Sequence, residues 1–504
     1  MHNGPLFKTD NRSIVSKGPE DRKRAKRPKT RSGCRTCKIR RVKCDETRPN
    51  CRRCVTTGRV CDGYDTAEAE ACVAVEGSSV PKPLPGIFTS LKEHRAFYYY
   101  LERTSREVSG IYEYEFWNHI IIQATYKDPA IRYAVVALGS LHEDYSKTGE
   151  AERTEDDFAL QQYSLAIRKH LDKLSSPTSG VSNVDSYVAS CLIFLCIELI
   201  QGHYLSALSL IKGAPAEILE LIVGRLQSQA TGLLSPSVVG QTAPPRHDDI
   251  SQLQMPERFQ SVAEAKQHLE CYNNTHILYT SALKRPYDLH LLSLRMYKDK
   301  LASWTSAFDD MLASVEMTTS ERRAANVLRV WQLMIGGSIE IKMKYSSVHD
   351  DQTLYDLYDT RFGEVIGLAE SVLSETDKDA KSPGTIKYRF TLDFSLVGPL
   401  YDTARSCRDP VIRRKAIHLL RAYPCREGLW DGLLAASSAE RQVELEEEAS
   451  MADITSSADV PGWARISIAL PTFQIGQRWT TVLYTRQQPL DGSKPLQFQE
   501  TIEW

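Results

Sequence analysis

Six cysteines constrain this chain more than any other feature. Cys34, Cys37, Cys44, Cys51, Cys54 and Cys61 fall within the 28 residues CRTCKIRRVKCDETRPNCRRCVTTGRVC, spaced C-x2-C-x6-C-x6-C-x2-C-x6-C. The unit C-x2-C-x6-C thus occurs twice. Two intervening residues let one tight turn aim both sulfurs of a pair at a single metal. The third cysteine is expected to return about two helical turns later. Thiolates are soft ligands, and an all-sulfur tetrahedral site favours zinc. Two four-coordinate ions are satisfied by these thiolates if two of the sulfurs bridge. A single ion held by four of them leaves two thiols idle and makes no use of the duplication. Disulfides are not expected, because the N-terminus MHNGPLFKTDNRSIVSKG lacks the apolar region of a secretory signal. The sequon at Asn273 is then chance. The other six cysteines (Cys72, Cys191, Cys196, Cys271, Cys407, Cys425) are scattered and read as ordinary core or surface thiols.

The formal net charge of −1 hides a division. Residues 1–64 carry 19 Lys and Arg against 6 Asp and Glu, a net of +13, while the rest of the 504 residues carry −14. A basic end on an acidic body points to a polyanionic partner for the end alone. Between Cys37 and Cys44 lies Lys38-Ile39-Arg40-Arg41-Val42-Lys43. Ile39 and Val42 are spaced to share a helical face and to pack on a small core, leaving the cations outward. DNA phosphates suit such a surface, and guanine O6 and N7 suit an arginine fork.

The cysteine pattern resembles the fungal binuclear zinc cluster, Zn2Cys6, of transcription regulators. The resemblance implies two zinc ions, with Cys34 and Cys51 bridging them, Cys37 and Cys44 completing one, and Cys54 and Cys61 the other. Pro49 matches the proline of the loop between the halves. The family uses adjacent basic residues before the third cysteine to read a CGG-type triplet from the major groove, which maps the role onto Arg40 and Arg41. Many members carry Lys at one of these positions; here both are Arg. Lys38, Lys43, Arg35, Arg52 and Arg53 are candidates for phosphate contacts that position the module without reading sequence. So small a module has little apolar core, so metal binding is expected to supply most of its folding free energy, on the order of 10 kcal/mol or more.

Residues 22–31, RKRAKRPKTR, hold seven basic side chains. They read as a nuclear localisation signal or as an arm adding phosphate attraction. The domain reading is a disordered basic arm at 1–33, the zinc cluster at 34–64, a Ser/Pro/Gly linker at 65–89 and a helical body at 90–504. The linker shows no sustained heptad, which argues against a dimerising coiled coil there.

The body has helical periodicity. In DPAIRYAVVALGSLH, Asp128 suits an N-cap and Pro129 the first helical position, and Ile131, Ala134, Val135, Leu138 and Leu141 share a face. DPVIRRKAIHLLRA repeats that start at Asp409 and Pro410. Further helices are expected near 155–175, 185–222, 260–283, 287–315, 320–346, 353–375, 385–406 and 426–448. A mobile insertion is expected at about 227–258. RISIALPTF and RWTTVLYTRQ are β-branched runs that suggest a terminal hairpin. The fold class expected is therefore mostly α: a small N-terminal cysteine module, a large all-α body and a short C-terminal β-hairpin. FWNHIIIQATYKDPAIRYAVVALGSLH and SCRDPVIRRKAIHLLRAYPCREGLWD resemble the fungal-specific transcription factor regulatory domain, which implies an all-α regulatory fold, in some members sensing small molecules.

No HExxH, GxSxG, P-loop or helix-opening GxGxxG is present, and no enzyme activity is expected. His142, His203 and His418, and Trp117 and Trp430, read as structural. No run of about 18 apolar residues suggests a membrane span. The resulting expectation is a nuclear, sequence-specific regulator that binds double-stranded DNA and works with the transcription machinery or co-regulators, with a small-molecule effector as a further partner class. The competing expectation is a zinc-dependent protein-interaction module, or a DNA-tethered ligand sensor, without direct base readout.

Overall fold

The computed structural model describes residues 34–47, 51–59, 61, 87–110, 115–149, 158–175, 184–213, 224–230, 253–281, 287–344, 351–378, 388–450, 453–472, 479–487 and 493–504. The basic arm, Pro49 and most of the linker lie outside them. The chain divides into two units, Met1–Pro81 and Lys82–Trp504.

The first unit contains two short helices, α1 (Arg35–Ile39) and α2 (Arg52–Val55), around a core made of sulfur. Ile39 and Val42 do not pack there: they are 75% and 37% exposed. The helix stops at Ile39, and Arg41 takes a left-handed φ of 55°, so the helical spacing between Ile39 and Val42 never forms.

In the second unit, α3 (Leu91–Tyr99) opens with a capping box. Ser90 Oγ accepts from Glu93 N–H, and the Glu93 carboxylate accepts from Ser90 N–H. A π-helical turn (Tyr100–Thr104) carries the chain into α4 (Ser105–Ser109). A second such turn (Phe116–Ile120) leads into α5 (Ile121–Lys127). In α6 (Pro129–Thr148), Asp128 caps Ala130 N–H at 2.9 Å and the expected apolar face is buried. Gly139 admits α3 at close range, since a Cβ there would collide with the Ala96 carbonyl oxygen. With α7 (Phe158–Ser175), α8 (Val184–Ile200) and α9 (Tyr204–Gly213), these helices enclose the first core, around Trp117, Leu138 and Ile193.

The helix expected over 185–222 breaks after Ile200. Gly202 takes φ 74°, and the buried Arg426 guanidinium donates to the Leu199 and Ile200 carbonyls at 3.2 and 2.8 Å. Residues 224–230 form a helix, α10, whose Leu226 and Ala230 are buried, and Leu253 and Met255 pack on another core. The expected insertion at 227–258 is thereby anchored at both ends, and its middle lies outside the described residues.

Next come α11 (Val262–Ser281), α12 (Tyr287–Ser314) and α13 (Thr319–Lys344), packed around Trp304 and Phe308. A 3-10 turn (Gln352–Tyr358) precedes α14 (Asp359–Lys378). The helix expected from 385 begins instead with a strand, β1 (Arg389–Thr391), before α15 (Val397–Ser406). After α16 (Pro410–Ala422), the start expected at 426 is likewise extended: β2 (Cys425–Glu427) runs parallel to β1, and β3 (Trp430–Asp431) antiparallel to β2. The pairing Arg389 with Cys425 joins distant segments, so no local period announces it. α17 (Gly432–Ser450) follows. β4 (Ile466–Thr472) and β5 (Trp479–Arg486) form the expected antiparallel hairpin, and β6 (Gln497–Glu503) adds a third strand beside β5. Val482, Tyr484 and Ile502 from this sheet bury against Leu434 and Leu445 of α17. No helix is long and apolar enough to cross a membrane among the described residues.

Candidate metal centre and nucleic-acid interface

The two halves of the cysteine repeat fold alike. Cys34 caps α1, its Sγ accepting from Cys37 N–H at 3.4 Å; Cys51 caps α2, its Sγ accepting from Cys54 N–H at 3.3 Å. Each C-x2-C pair therefore brings both sulfurs to the N-terminal end of one helical turn. The four sulfurs meet: Sγ separations are 3.6 Å for Cys34–Cys51, 3.8 Å for Cys34–Cys54, 3.7 Å for Cys37–Cys51 and 3.8 Å for Cys37–Cys54. Zinc–sulfur bonds of 2.3 Å at tetrahedral angles place sulfurs about 3.8 Å apart, so these spacings fit thiolates around zinc. Cys44 lies beside Cys37, and Cys61 lies beside Cys34 and accepts from Cys51 N–H at 3.5 Å. All six expected ligands are in one cluster, five of them buried.

The donor set is sulfur alone, which is the chemistry of a structural zinc site. Burial pushes the Cys34 thiol up to about 12. A bound dication reverses this balance, because a coordinating thiol is deprotonated outright. Cys34, Cys37, Cys44, Cys51, Cys54 and Cys61 would hold the two zinc ions, and the ions would cross-link the two helical turns. Among the described residues, the four central cysteines are the one group of three or more such side chains close enough to share an ion.

The cations surround this centre. Lys38, Arg41, Lys43, Arg52 and Arg53 are exposed and Arg40 is half-exposed, while the side chain of Arg35 lies outside the described residues. Arg40 and Arg41 do not share a helical surface: Arg40 ends α1 and Arg41 is left-handed. Arg40 Nη1 donates to Thr57 Oγ1 at 3.4 Å. Arg53 Nη1 donates to the Lys43 carbonyl at 3.1 Å, which ties α2 to the loop entering Cys44's side of the cluster.

Sequence reasoning missed Asp45. Its carboxylate accepts from Arg52 and Arg53 N–H at 3.1 and 2.7 Å, and from Thr47 N–H at 3.1 Å. The Thr47 hydroxyl and these amides hold its carboxyl below the usual range. An acidic side chain at the start of α2 also suits the helix dipole. The signal was an Asp directly after the third cysteine, but its target lies seven residues onward, beyond a local capping pattern.

Two of the three histidines read as structural have partners, whereas His418 is exposed. His142 is fully buried, with Nδ1 2.9 Å from Thr104 Oγ1 and Nε2 3.2 Å from Glu107. His203 Nδ1 lies 3.0 Å from Glu198.

Comparison with known proteins agrees with this geometry. Residues 32–70 match the fungal Zn(2)-Cys(6) binuclear cluster domain, and residues 95–234 match the fungal specific transcription factor domain. The chain is 25% identical to the aspercryptin biosynthesis cluster-specific transcription regulator atnN of Emericella nidulans, over 87% of this chain and 92% of that protein. It is 29% identical to the transcription regulator lscL of Purpureocillium lilacinum, over 33% of this chain and 44% of that protein. No solved structure matches the chain. These are transcription factor domains and not those of an enzyme. The chain thus carries a fungal Zn2Cys6 cluster domain followed by a fungal-specific transcription factor domain, and over most of its length it is similar to a fungal transcription regulator.

Proposed function

We propose that this regulator acts in the nucleus and binds double-stranded DNA through its zinc cluster, reading a CGG-like triplet in the major groove. The observation that carries this reading is the cationic rim of Lys38, Arg41, Lys43 and Arg52, exposed around a sulfur centre that is itself buried. Two zinc ions held by the six cysteines would make that rim rigid, and the family resemblance assigns Cys34 and Cys51 as the ligands they would share. Arg40 and Arg41, at the end of α1, are the base-reading candidates, because an arginine fork matches guanine O6 and N7. Lys38, Lys43, Arg35 and Arg52 serve phosphates. Arg53 has a mixed role, since it also binds the Lys43 carbonyl. The likeness to a biosynthesis cluster-specific regulator supports a target among the genes of a biosynthetic cluster. Transcription machinery or co-regulators would then be the partners of the helical unit.

The test is selection of binding sites from random duplex DNA by the zinc-loaded full chain, with a Cys34→Ala, Cys51→Ala control. Enrichment of a G-rich triplet by the native chain alone is expected. Single triplets mean binding as a monomer; paired triplets at fixed spacing mean a dimer. Absence of enrichment at moderate salt overturns base readout and favours a protein partner for the cluster.

A further inference from the structure

The helical unit contains a cavity of about 220 Å³ among α11, α13, the 3-10 turn, α14 and α15. It lies outside the residues that match either domain family. One side is aromatic: Trp331, Tyr355, Tyr358 and Phe362 line it. Trp331 is fixed in place, its Nε1 donating to the Ser395 carbonyl at 2.6 Å and its ring stacked on Phe394 at 4.0 Å.

The polar groups on the wall are unevenly charged. Lys342, Arg361 and Arg405 contribute cations and Asp402 the carboxylate. His276, also on the wall, is neutral, because burial holds it well below its usual range. Two of the cations already have work. Arg361 Nη2 binds Glu340 at 3.1 Å, and Arg405 Nη2 donates to the Ser467 carbonyl at 2.9 Å. Lys342 is different. No hydrogen bond or ion pair ties its ammonium to a neighbour among the described residues; its one charged influence is Asp402. Burial pushes Lys342 down to about 8, while Asp402 pulls the other way. Asp402 has accessible surface, yet its surroundings desolvate it and raise its carboxyl. Asp402 is among the residues that line the cavity.

We propose that this cavity is a binding site for a small carboxylate with an aromatic or aliphatic body, its anionic end on Lys342 and its apolar end against Trp331 and Phe362. A carboxylate supplies the partner that Lys342 lacks, in a setting of net positive charge. An amine would meet the same three cations, offset only by Asp402 and by the Glu340 that Arg361 already holds. The inference stands on the cavity and does not depend on the DNA-binding reading.

The test is calorimetric titration of the zinc-loaded full chain with 3-phenylpropanoate, its neutral amide and 3-phenylpropylamine, read alongside Trp emission. The carboxylate is expected to bind at least tenfold tighter than either analogue. Lys342→Met should remove that preference, so that carboxylate and amide bind with similar affinity. Asp402→Asn should tighten the carboxylate several-fold. A variant that merely misfolds weakens every probe, so the opposite signs of the two substitutions separate site from scaffold. No binding of any probe at millimolar concentration, equal or tighter binding of the amine, or an unchanged preference in Lys342→Met would overturn the proposal.

Discussion

Nη2 of Arg408 lies 2.9 Å from Oε1 of Glu446, and both side chains are wholly shielded from solvent. Arg413 Nη2 holds the other carboxylate oxygen at 2.9 Å, and Ile466 N–H donates to Oε1 at 2.8 Å. One carboxylate thus ties the start of α16 to α17 and to the first strand of the C-terminal sheet. Burial opposes the charge on Glu446, but the two guanidinium groups outweigh it and hold the carboxyl down to about 2.

A folded value below the ordinary 4.5 contributes stability above that pH, and the contribution is lost as pH falls from about 4.5 to about 2. The shift corresponds to about 3 kcal/mol. Glu446→Gln should cost about 3 to 5 kcal/mol at neutral pH, since it strands two buried guanidinium groups. It should also flatten the acid limb of stability. Denaturant midpoints of both proteins between pH 2 and pH 7 check this.

The bridging assignment makes a stoichiometric prediction. Cys51→Ala should release both zinc ions and Cys44→Ala should weaken one, as read by metal analysis after dialysis. A single ion retained at full affinity in Cys51→Ala would contradict sharing. Since metal binding supplies on the order of 10 kcal/mol in such modules, the first variant should also lose the amide protection of α1 and α2.

Arginine substitutions should separate reading from positioning. Arg41→Ala should cost about 1 to 3 kcal/mol on the preferred triplet and relax its sequence. Arg52→Ala should weaken all sequences alike and lower the salt slope by about one. Asp45→Ala should lower zinc affinity without altering the selected triplet, because it removes the acceptor for the Arg52 and Arg53 amides. Binding isotherms on matched and scrambled duplexes at several salt concentrations distinguish these outcomes.

Asp409 accepts from Val411 and Ile412 N–H at 2.9 and 3.0 Å. Asp409→Ala should destabilise the helical unit by about 1 kcal/mol, and Asp409→Asn by less. Thermal unfolding measures both.

What the sequence determined by itself was local. Cysteine spacing announced the sulfur cluster, because a C-x2-C pair needs only one turn to converge. Asp128-Pro129 and Asp409-Pro410 marked helix starts, because a cap acts within three residues. The runs RISIALPTF and RWTTVLYTRQ announced a hairpin through their β-branched residues. Tertiary structure decided what depended on distant partners. The strands Arg389–Thr391 and Cys425–Glu427 exist because they pair with each other across the chain. Helix α8 ends where Arg426 takes its last carbonyls, a residue more than two hundred positions away. Ile39 and Val42 stay exposed because sulfur, not hydrocarbon, fills the small core. Lys342 and Asp402 look like surface charges in the sequence, and only the packing of α13 against α15 sets them on one cavity wall. A local period specifies which face of an element is apolar; the energy of burying a charge depends on what arrives from elsewhere to meet it.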